Sequence, residues 1–488
     1  MLAHARGERG PRTRPALRMV HALLLMCLSC AKVRAQGAAP ADAPVVLTEA
    51  PGFHRASDAE MEEAGLYRDN LDADFAPWTN RRYSVRQLYE LVATLVKGRP
   101  QKYLSLVVIK NNRVGWLPLA ARPMALTLSR MKAIASGLRN ATRAGLSFPD
   151  SLYLMNVWDE GRCVRDEHSA GGALPKTVSG GGSKGGSGGK AKPAKPRSPK
   201  TPACTVPLFS LIKSWDYGAA DSAETDVLLP FFNHVYENLY VYPWGKKHDK
   251  ALMRAAMQAQ MKPNSTRLWI MKLQETHPDG QRLLDAGITN NLNKKKKVKL
   301  ANFVTIPDHA RWKYLLSADG FTASCRLGKL MGTNSVVLKE TTEWIEYYYR
   351  SLKAGTHFVP FTKDDVLQVL LELEKDPQRC QRVSAAAQQF AYTYLSQHGK
   401  AMYVRRALLK YNGLFDDISD FMSQLVWEPP PDDLAGGSSS SGGGSSGGSS
   451  GSGADAAAAA GAGGGGLTLV GLMEQMKAFA DDKKAARR

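Results

Sequence analysis

The sequence predicts an α/β protein built from two doubly wound halves. Strand-like apolar runs alternate with helical patterns, as in parallel sheets flanked by helices. The alternation occurs once before and once after residue 240, so we expect two separate sheets. A chain of 488 residues with 43% hydrophobic content is long enough for two domains with tails.

The first half is predicted to contain two helices and three strands. Its expected elements are, in order, a helix at 85–95, strands at 103–110 and 114–117, a helix at 126–144 and a strand at 152–157. Asn111-Asn112 would form the turn between the paired strands. The last strand leads directly into Trp158-Asp159.

The second half has more elements and ends in long helices. Its expected elements are a helix at 250–261, strands at 268–273, 302–305 and 314–318, a helix at 324–331, a strand at 335–338, a helix at 343–352, a strand at 357–360, and helices at 364–374, 376–396 and 402–425. This succession predicts a parallel sheet in the second half.

Composition divides the chain into seven segments. They are a signal peptide at 1–35, a loose segment at 36–82, a Rossmann-like half at 83–240 with a disordered Gly/Ser/Lys/Pro insert at 168–203, a second Rossmann-like half at 241–400, a closing helix at 401–427, a Gly/Ser/Ala linker at 428–466 and a short basic amphipathic tail at 467–488. The tail is expected to be a weak helix that docks on a partner, lies on a membrane surface or does neither.

The positive charge belongs to the segments outside the two halves. The formal net charge is +20, and residues 1–35, 168–203, 294–299 and 467–488 together account for all of it. Blocks of like charge are usually solvated rather than part of a folded basic face. We therefore expect no nucleic-acid binding, and polyanion binding through these segments is kept as an alternative.

The N-terminus and the cysteines indicate the secretory pathway. A basic stretch ending at Arg18 precedes a short apolar run, and small residues lead to a cleavage site after Ala35. An uncleaved signal anchor is the alternative. Cys163, Cys204, Cys325 and Cys380 remain after cleavage and allow three pairings. A bridge between Cys163 and Cys204 would hold the base of the insert in an oxidising lumen of the endoplasmic reticulum or Golgi.

A candidate anion site follows the strand at 314–318. Asp319-Gly320 begins a short turn, Ser324 is a suitable helix N-cap, and Arg326 falls in the first helical turn. Ligands of open α/β sheets bind at the carboxyl ends of the strands. Free N–H groups of a helix start and an arginine favour phosphate there, although a structural arginine fits the same pattern.

Several ordered motifs resemble glycosyltransferase family 90, which includes the Rumi-type protein O-glucosyltransferases and fungal xylosyltransferases. The motifs lie at 148–159, 207–210, 226–230, 243–247, 254, 267, 284–287, 313–316, 319–320, 323–327, 335–338, 343–353 and 357–360. The resemblance spans roughly residues 83–425 and is interrupted by the insert. It implies a GT-B-like fold, in which two Rossmann-like domains face a cleft.

The resemblance also implies an activity and residue roles. The family transfers glucose or xylose from a UDP-sugar to a protein Ser/Thr or glycan hydroxyl, with inversion and without a metal. Asp159 matches the base that deprotonates the acceptor. Arg326 and Arg267 match donor-binding positions, with Ser324, Asp319, Gly320 and Arg254 as further donor-site candidates.

Some features leave the assignment of roles open. Asp150, Asp166 and Glu160 compete with Asp159 for the role of base. Asp319 could contact the donor or cap a turn, and Arg254 could only support the fold. Ala255 replaces the family's glycine, and its methyl group could keep the donor from the backbone. A catalytically inactive binding protein with the same fold is therefore the alternative to an enzyme.

Overall fold

The computed structural model describes residues 42–50, 52–98, 100–164, 204–234, 236–261, 264–293, 297–427 and 467–485. The predicted signal peptide, insert and linker lie outside the described residues. Within the part that is described, no helix is long and apolar enough to cross a membrane.

The strands are β1 (Val45–Leu47), β2 (Leu104–Lys110), β3 (Arg113–Pro118), β4 (Ser151–Asn156), β5 (Phe209–Ser210), β6 (Lys213–Ser214), β7 (Val227–Leu228), β8 (Leu239–Val241), β9 (His248–Met257), β10 (Leu284–Asn291), β11 (Trp312–Ser317), β12 (Val336–Glu340), β13 (Trp344–Ile345) and β14 (Val359–Phe361). The helices are α1 (Asp58–Glu63), α2 (Val85–Lys97), α3 (Ala125–Arg143), α4 (Thr266–Thr276), α5 (Pro278–Leu283), α6 (Ile306–His309), α7 (Leu327–Met331), α8 (Val366–Glu374), α9 (Pro377–Tyr394), α10 (Gln397–Asn412), α11 (Ile418–Gln424) and α12 (Leu469–Ala485).

The first half contains a mixed sheet with the strand order β3-β2-β4-β5-β7. Strand β2 is antiparallel to β3 and β4, whereas β4, β5 and β7 are parallel. Asn111 and Asn112 have φ values of 52° and 61°, which suit the tight turn predicted between β2 and β3. The predicted helices of this half are confirmed as α2 and α3, and Ser84 begins α2 with a capping box.

The second half contains a parallel sheet with the order β10-β9-β11-β12-β14. Alternate apolar residues of these strands are buried against α4, α8 and α9 in a core of their own. Two α/β halves confirm the GT-B-like fold class expected from the sequence.

Two predictions in the second half are interchanged in the structure. Residues 250–261, predicted as a helix, lie mainly in strand β9, and residues 268–273, predicted as a strand, lie within helix α4. The Ala-, Leu- and Met-rich run from Ala251 to Met257 favours helix by propensity. Burial between β10 and β11 overrides that preference, because a central parallel strand needs apolar residues on both faces.

Three further boundaries differ from the sequence-based expectation. Residues 302–305 form no strand, and residues 343–352 form β13 and a short 3-10 turn at Tyr349–Ser351 instead of a helix. The aromatic residues there favour extended structure, and Trp344 pairs with Ser214 of β6. The predicted helix at 402–425 is two helices, α10 and α11, which are separated after Gly413.

The segment at 36–82 is not loose over residues 58–78. Helix α1 begins with a capping box at Ser57, and π-helical, α-helical and 3-10 turns follow from Tyr67 to Trp78. Its buried apolar side chains belong to the core of the first half; they are Met61, Leu66, Tyr67, Leu71, Phe75 and Trp78. Acidic residues separate these apolar residues in the sequence, so that neither a helical nor a strand period is evident over residues 58–78.

The chain crosses between the halves twice. The first crossing connects β7 to β9, and the second lies at Ser396 between α9 and α10. The backbone N–H of Gln397 donates to Glu237 Oε1 at 2.6 Å, so the two crossings are in contact. Arg55 donates to the carbonyls of Tyr392 at 2.5 Å and Glu237 at 2.8 Å and ties them together.

The C-terminal helix α12 packs on the first half. Its buried face contacts α2 and α11 and consists of Leu472, Met476, Phe479 and Ala480. Gln475 exchanges two hydrogen bonds with the backbone of Val426, at 2.9 and 3.2 Å. The apolar face that would contact a membrane is therefore buried against the chain itself.

One disulfide bond joins Cys163 to Cys204 across 41 positions of sequence. This pairing is the one that would hold the base of the predicted insert. Cys325 and Cys380 are free thiols.

Candidate functional site

The predicted anion site lies at the carboxyl edge of the second sheet. Strands β11 and β12 are parallel, and the loop from Asp319 to Arg326 joins the end of β11 to helix α7. Ser324 does not cap this helix, because α7 begins later and Arg326 occupies the N-cap position. The helix has five residues, so its dipole is a minor contribution beside the charged side chains.

Asp319 organises the loop through hydrogen bonds to the protein. One carboxylate oxygen accepts from the N–H of Ser324 at 2.8 Å, and the other accepts from the hydroxyl of Thr342 at 2.5 Å. Its own N–H donates to Glu340 at 2.7 Å. Burial raises the pKa of Asp319 despite the nearby charge of Lys339. Since both oxygens have protein partners, the geometry favours turn capping over donor contact.

Gly320 is required by close packing. A Cβ at this position would lie 2.1 Å from Oε1 of Gln258 and 3.0 Å from both terminal nitrogens of Arg267. Gln258 Oε1 also accepts from the N–H of Phe321 at 2.6 Å. A side chain at Gly320 would therefore push Arg267 and Gln258 away from the loop.

Arg267 is buried near the start of α4 and is held by carbonyl groups. Nε and Nη2 donate to Ala318 O at 3.1 and 3.0 Å, and Nη1 donates to Ala256 O at 2.7 Å. It forms no ion pair with a described residue. Burial, with the charge of Arg326 as a second cause, lowers the pKa of Arg267 to about 10. An anion bound here would relieve that repulsion.

The side chain of Arg326 has no hydrogen bond or ion pair with any residue that the structure describes. Its side chain is partly buried, and burial lowers its pKa. Buried charges normally have a partner, because removing a charge from water costs several kcal/mol. A guanidinium group without a protein partner is suited to form hydrogen bonds with a phosphate oxygen.

Arg254 is held away from this pair by protein contacts. It forms an ion pair with Asp285 at 2.7 Å and donates to the carbonyls of Asp285 and Asn302. These contacts favour a role in supporting the fold. Ala255, the neighbouring departure from the family pattern, is buried in the core of the second half.

Asp159 lies just beyond strand β4 of the first half. Its Oδ1 is 2.7 Å from Nη1 of Arg130 on α3. The preceding Trp158 packs on Tyr103, with ring centroids 4.2 Å apart. It also packs on Phe321 in the loop from Asp319 to Arg326, with ring centroids 6.1 Å apart. The contact with Phe321 brings the strand end that carries Asp159 next to the Arg326 loop.

Charged side chains from both halves affect the pKa of the Cys325 thiol. Burial raises the pKa of Cys325 to about 11, Glu346 and Asp159 raise it further, and Arg130 and Arg326 lower it. The structure brings Asp319, Gly320 and Ser324 together with Arg267 and places Arg326 in the same loop. Asp159 is connected to this loop through the packing of Trp158 on Phe321. Arg254 is held elsewhere by Asp285.

The other carboxylates considered for the role of base have different surroundings. Asp150 accepts from the N–H of Asn111 at 2.7 Å and caps the β2–β3 hairpin. Glu160 accepts from Nε1 of Trp158 at 3.2 Å. Asp166 lies outside the described residues. Their local partners make Asp159 the better placed carboxylate.

Three contributors were not found from the sequence. Arg130 and Gln258 lie outside the motifs, and Glu346 lies within the motif at 343–353 but was given no role there. Burial raises the pKa of Glu346 to about 7, and Tyr349 donates to it at 3.2 Å. Among the described residues, no group of three or more His, Cys, Asp or Glu is arranged to hold a metal ion.

A separate cavity of about 170 Å³ lies beside α7. Its lining includes Tyr236, Gly328, Lys329 and Gly332. Pockets for drug-sized ligands are roughly 300–1,000 Å³, so this cavity is too small for a whole nucleotide sugar.

Comparison with known proteins identifies a family. Residues 214–418 match the model of Glycosyl transferase family 90. Protein O-glucosyltransferase 2 of Danio rerio is 30% identical over 174 residues, which cover 34% of this chain and 33% of that protein. Protein O-glucosyltransferase 1 of Rattus norvegicus is 26% identical over 234 residues, which cover 43% and 57%. The O-glucosyltransferase rumi of Drosophila pseudoobscura pseudoobscura is 26% identical over 178 residues, which cover 35% and 42%.

Among solved structures, HepE of Anabaena in complex with UDP aligns with a TM-score of 0.26 and 12% identity, over 34% of this chain and 50% of that one. A likeness at this level adds nothing to the assignment.

The family match covers the second half and the end of the first half, and it includes most of the motifs noted in the sequence. Residues 214–418 belong to glycosyltransferase family 90. The chain spans about a third of the length of the first curated relatives that it matches.

Proposed function

We propose that the protein transfers glucose or xylose from a UDP-sugar to the hydroxyl group of a protein Ser/Thr or a glycan, with inversion at the anomeric carbon. The observation that carries this proposal is Arg326, a cation whose partly buried side chain has no protein partner among the described residues and whose loop packs through Phe321 on Trp158, next to Asp159. The relatives named protein O-glucosyltransferase support glucose as the first donor to test.

The reaction is a single displacement. Asp159 takes the proton of the acceptor hydroxyl through Oδ2, while the acceptor oxygen forms a bond to the anomeric carbon. The bond between that carbon and the β-phosphate oxygen breaks, and its electron pair stays on the departing UDP. Asp159 lies on the first half and the arginines on the second, so attack from the face opposite the nucleotide fits the arrangement.

Arg326 and Arg267 would stabilise the charge that develops on the diphosphate. Two guanidinium groups can supply this stabilisation without a metal ion, because fixed cations in a partly dry cleft interact strongly with a developing charge. We therefore propose metal-independent transfer.

The disulfide bond supports a site of action in the lumen of the secretory pathway. Disulfides persist in oxidising compartments such as the endoplasmic reticulum and are rare in the cytosol. The bridge between Cys163 and Cys204 is closed in the structure.

The test is release of UDP by the purified protein from UDP-glucose, UDP-xylose and other nucleotide sugars, with and without EDTA. Arg326→Ala should lower turnover by about two orders of magnitude or more, as removal of one transition-state donor typically does. Arg382→Ala is the matched control, since Arg382 is exposed on α9 of the same half. Asp159→Asn should abolish transfer and leave UDP binding unchanged.

The proposal fails if the wild-type protein releases UDP from none of these donors. It also fails in part if a folded Arg326→Ala variant turns over like Arg382→Ala. Loss of UDP binding in Asp159→Asn would exclude Asp159 as the base, and loss of activity with EDTA would exclude metal independence.

A further inference from the structure

Arg130 of helix α3 is the direct partner of the candidate base. Its Nη1 lies 2.7 Å from Oδ1 of Asp159, and the two side chains are 12% and 17% exposed. Few water molecules can reach this pair, so it is less screened than an exposed ion pair. Asp159 Oδ2 has no partner among the described residues.

Arg130 is itself held on two sides. The same nitrogen donates to the carbonyl oxygen of Val157, at the end of the strand that carries Asp159. The aromatic ring of Phe231 lies 5.0 Å from the guanidinium carbon. The guanidinium group therefore links the carboxylate to the backbone of its own loop and restricts its rotamers.

The geometry points to Arg130 as a positioning residue that holds the Asp159 carboxylate so that Oδ2 faces the acceptor hydroxyl. This inference rests on the proposed function. A carboxylate two or three residues beyond a strand end can adopt several rotamers, and only some place an oxygen within hydrogen-bond reach of an acceptor. An ion pair through Oδ1 leaves one oxygen for proton transfer and fixes its direction.

A purely structural ion pair is the competing explanation, and the two differ in what they predict. Breaking a structural pair lowers stability and impairs every property of the site together. Loss of positioning lowers turnover and leaves donor binding intact, because the direct hydrogen-bond and ion-pair partners of Arg130 among the described residues are Asp159 and Val157 rather than residues in the loop of Arg326. The two can therefore be separated by measuring kcat and UDP binding on the same variants.

The experiment compares Arg130→Gln, Arg130→Lys and Arg143→Gln in the full-length protein. Arg143 is an exposed arginine in the last turn of the same helix and serves as the matched control. Release of UDP from UDP-glucose with water as the acceptor gives kcat and KM without knowledge of the natural acceptor. Calorimetry with UDP gives the dissociation constant, and thermal unfolding shows whether each variant is folded.

We expect Arg130→Gln to lower kcat about 10- to 100-fold, in line with the cost of misplacing a reacting group by about 1 Å. The KM for UDP-glucose and the dissociation constant of UDP should stay within about twofold of the control. Arg130→Lys should recover part of kcat, because a lysine ammonium can still reach one carboxylate oxygen. If Arg130→Gln does not fold, the Lys variant carries the same comparison.

Turnover of Arg130→Gln equal to that of Arg143→Gln would overturn the inference. A parallel loss of UDP binding would also overturn it, because Arg130 would then be a donor ligand or a structural residue. A wild-type protein that releases no UDP from any donor refutes the proposed function and this inference with it. An active wild type with an unaffected variant refutes the role of Arg130 alone.

Discussion

Substitution of Phe479 tests the docking of the C-terminal helix. Phe479 is 6% exposed and packs edge-to-face on Phe421 of α11, with ring centroids 5.4 Å apart. Removal of a buried phenylalanine side chain typically costs about 3–5 kcal/mol. The cost here cannot exceed the free energy of docking α12, because the helix can leave the surface while the rest of the chain stays folded.

The magnitude follows from the buried face. Full burial of a Leu, Met or Phe side chain contributes roughly 1.5–3 kcal/mol, and α12 buries one of each, so the gross gain is about 5–9 kcal/mol before ordering costs. We expect Phe479→Ala to destabilise docking by about 3 kcal/mol, near the lower end of the usual range. That change raises the population of the undocked helix about 100-fold, since each 1.4 kcal/mol is a factor of ten.

Limited trypsin digestion measures the population of the undocked helix. Lys477 and Lys483 lie on α12, and cleavage at them should accelerate by about the same factor under conditions where opening is fast. Val470→Ala is the control on the same helix, because Val470 is 66% exposed. Release of UDP should be unchanged in both variants. Equal cleavage rates for Phe479→Ala and Val470→Ala would show that the apolar face does not hold the helix in place.

Further predictions concern the donor loop, the disulfide, a buried carboxyl group and the insert. Gly320→Ala should weaken UDP binding measured by calorimetry, whereas Gly245→Ala should not, because a Cβ at Gly245 meets nothing within 4 Å. Cys163→Ser with Cys204→Ser should lower the free energy of unfolding by about 4 kcal/mol in urea denaturation, the chain-entropy value for a closed loop of roughly 42 residues, and Cys380→Ser should not give this loop-dependent loss. The pKa of Glu346 is raised from 4.5 to about 7 in the folded state. The contribution of this group to the free energy of unfolding is therefore largest below about pH 4.5, falls as the pH rises to 7 and is constant above it. Glu346→Gln should flatten that slope in urea denaturation series, and an unchanged slope would assign it to another group. Deletion of residues 168–203 should leave the release of UDP intact, whereas loss of turnover in a folded deletion variant would favour the polyanion-binding alternative.

The sequence predicts the parallel sheet best where motif and periodicity agree. Strands β11 and β12 and the loop between them follow from a buried apolar run, a turn and a second apolar run, and the family motifs mark the same residues. Arg326 lies within these motifs, whereas Arg267 comes from helix α4.

Elsewhere, tertiary contacts override local preference. Strand β9 is rich in helix-forming residues, and only its place between two strands makes it extended. The pairing of Arg130 with Asp159 joins a helix residue to a loop 29 positions later, and no local pattern indicates it. Burial of residues 58–78 and docking of α12 likewise depend on surfaces that other segments supply.

The linked crossings have a mechanical consequence for access to the cleft. Arg55, Glu237 and Gln397 connect the two segments that join the halves, so both segments meet at one place. The pairing of Trp344 with Ser214 and the ion pair between Arg350 and Asp74 join the halves at a second place. Rotation of one half about the crossings would break this second set of contacts, and rotation about the second set would break the hydrogen bonds at the crossings. We therefore expect the two halves to resist rigid rotation, so that any widening of the space between them involves loops rather than whole domains.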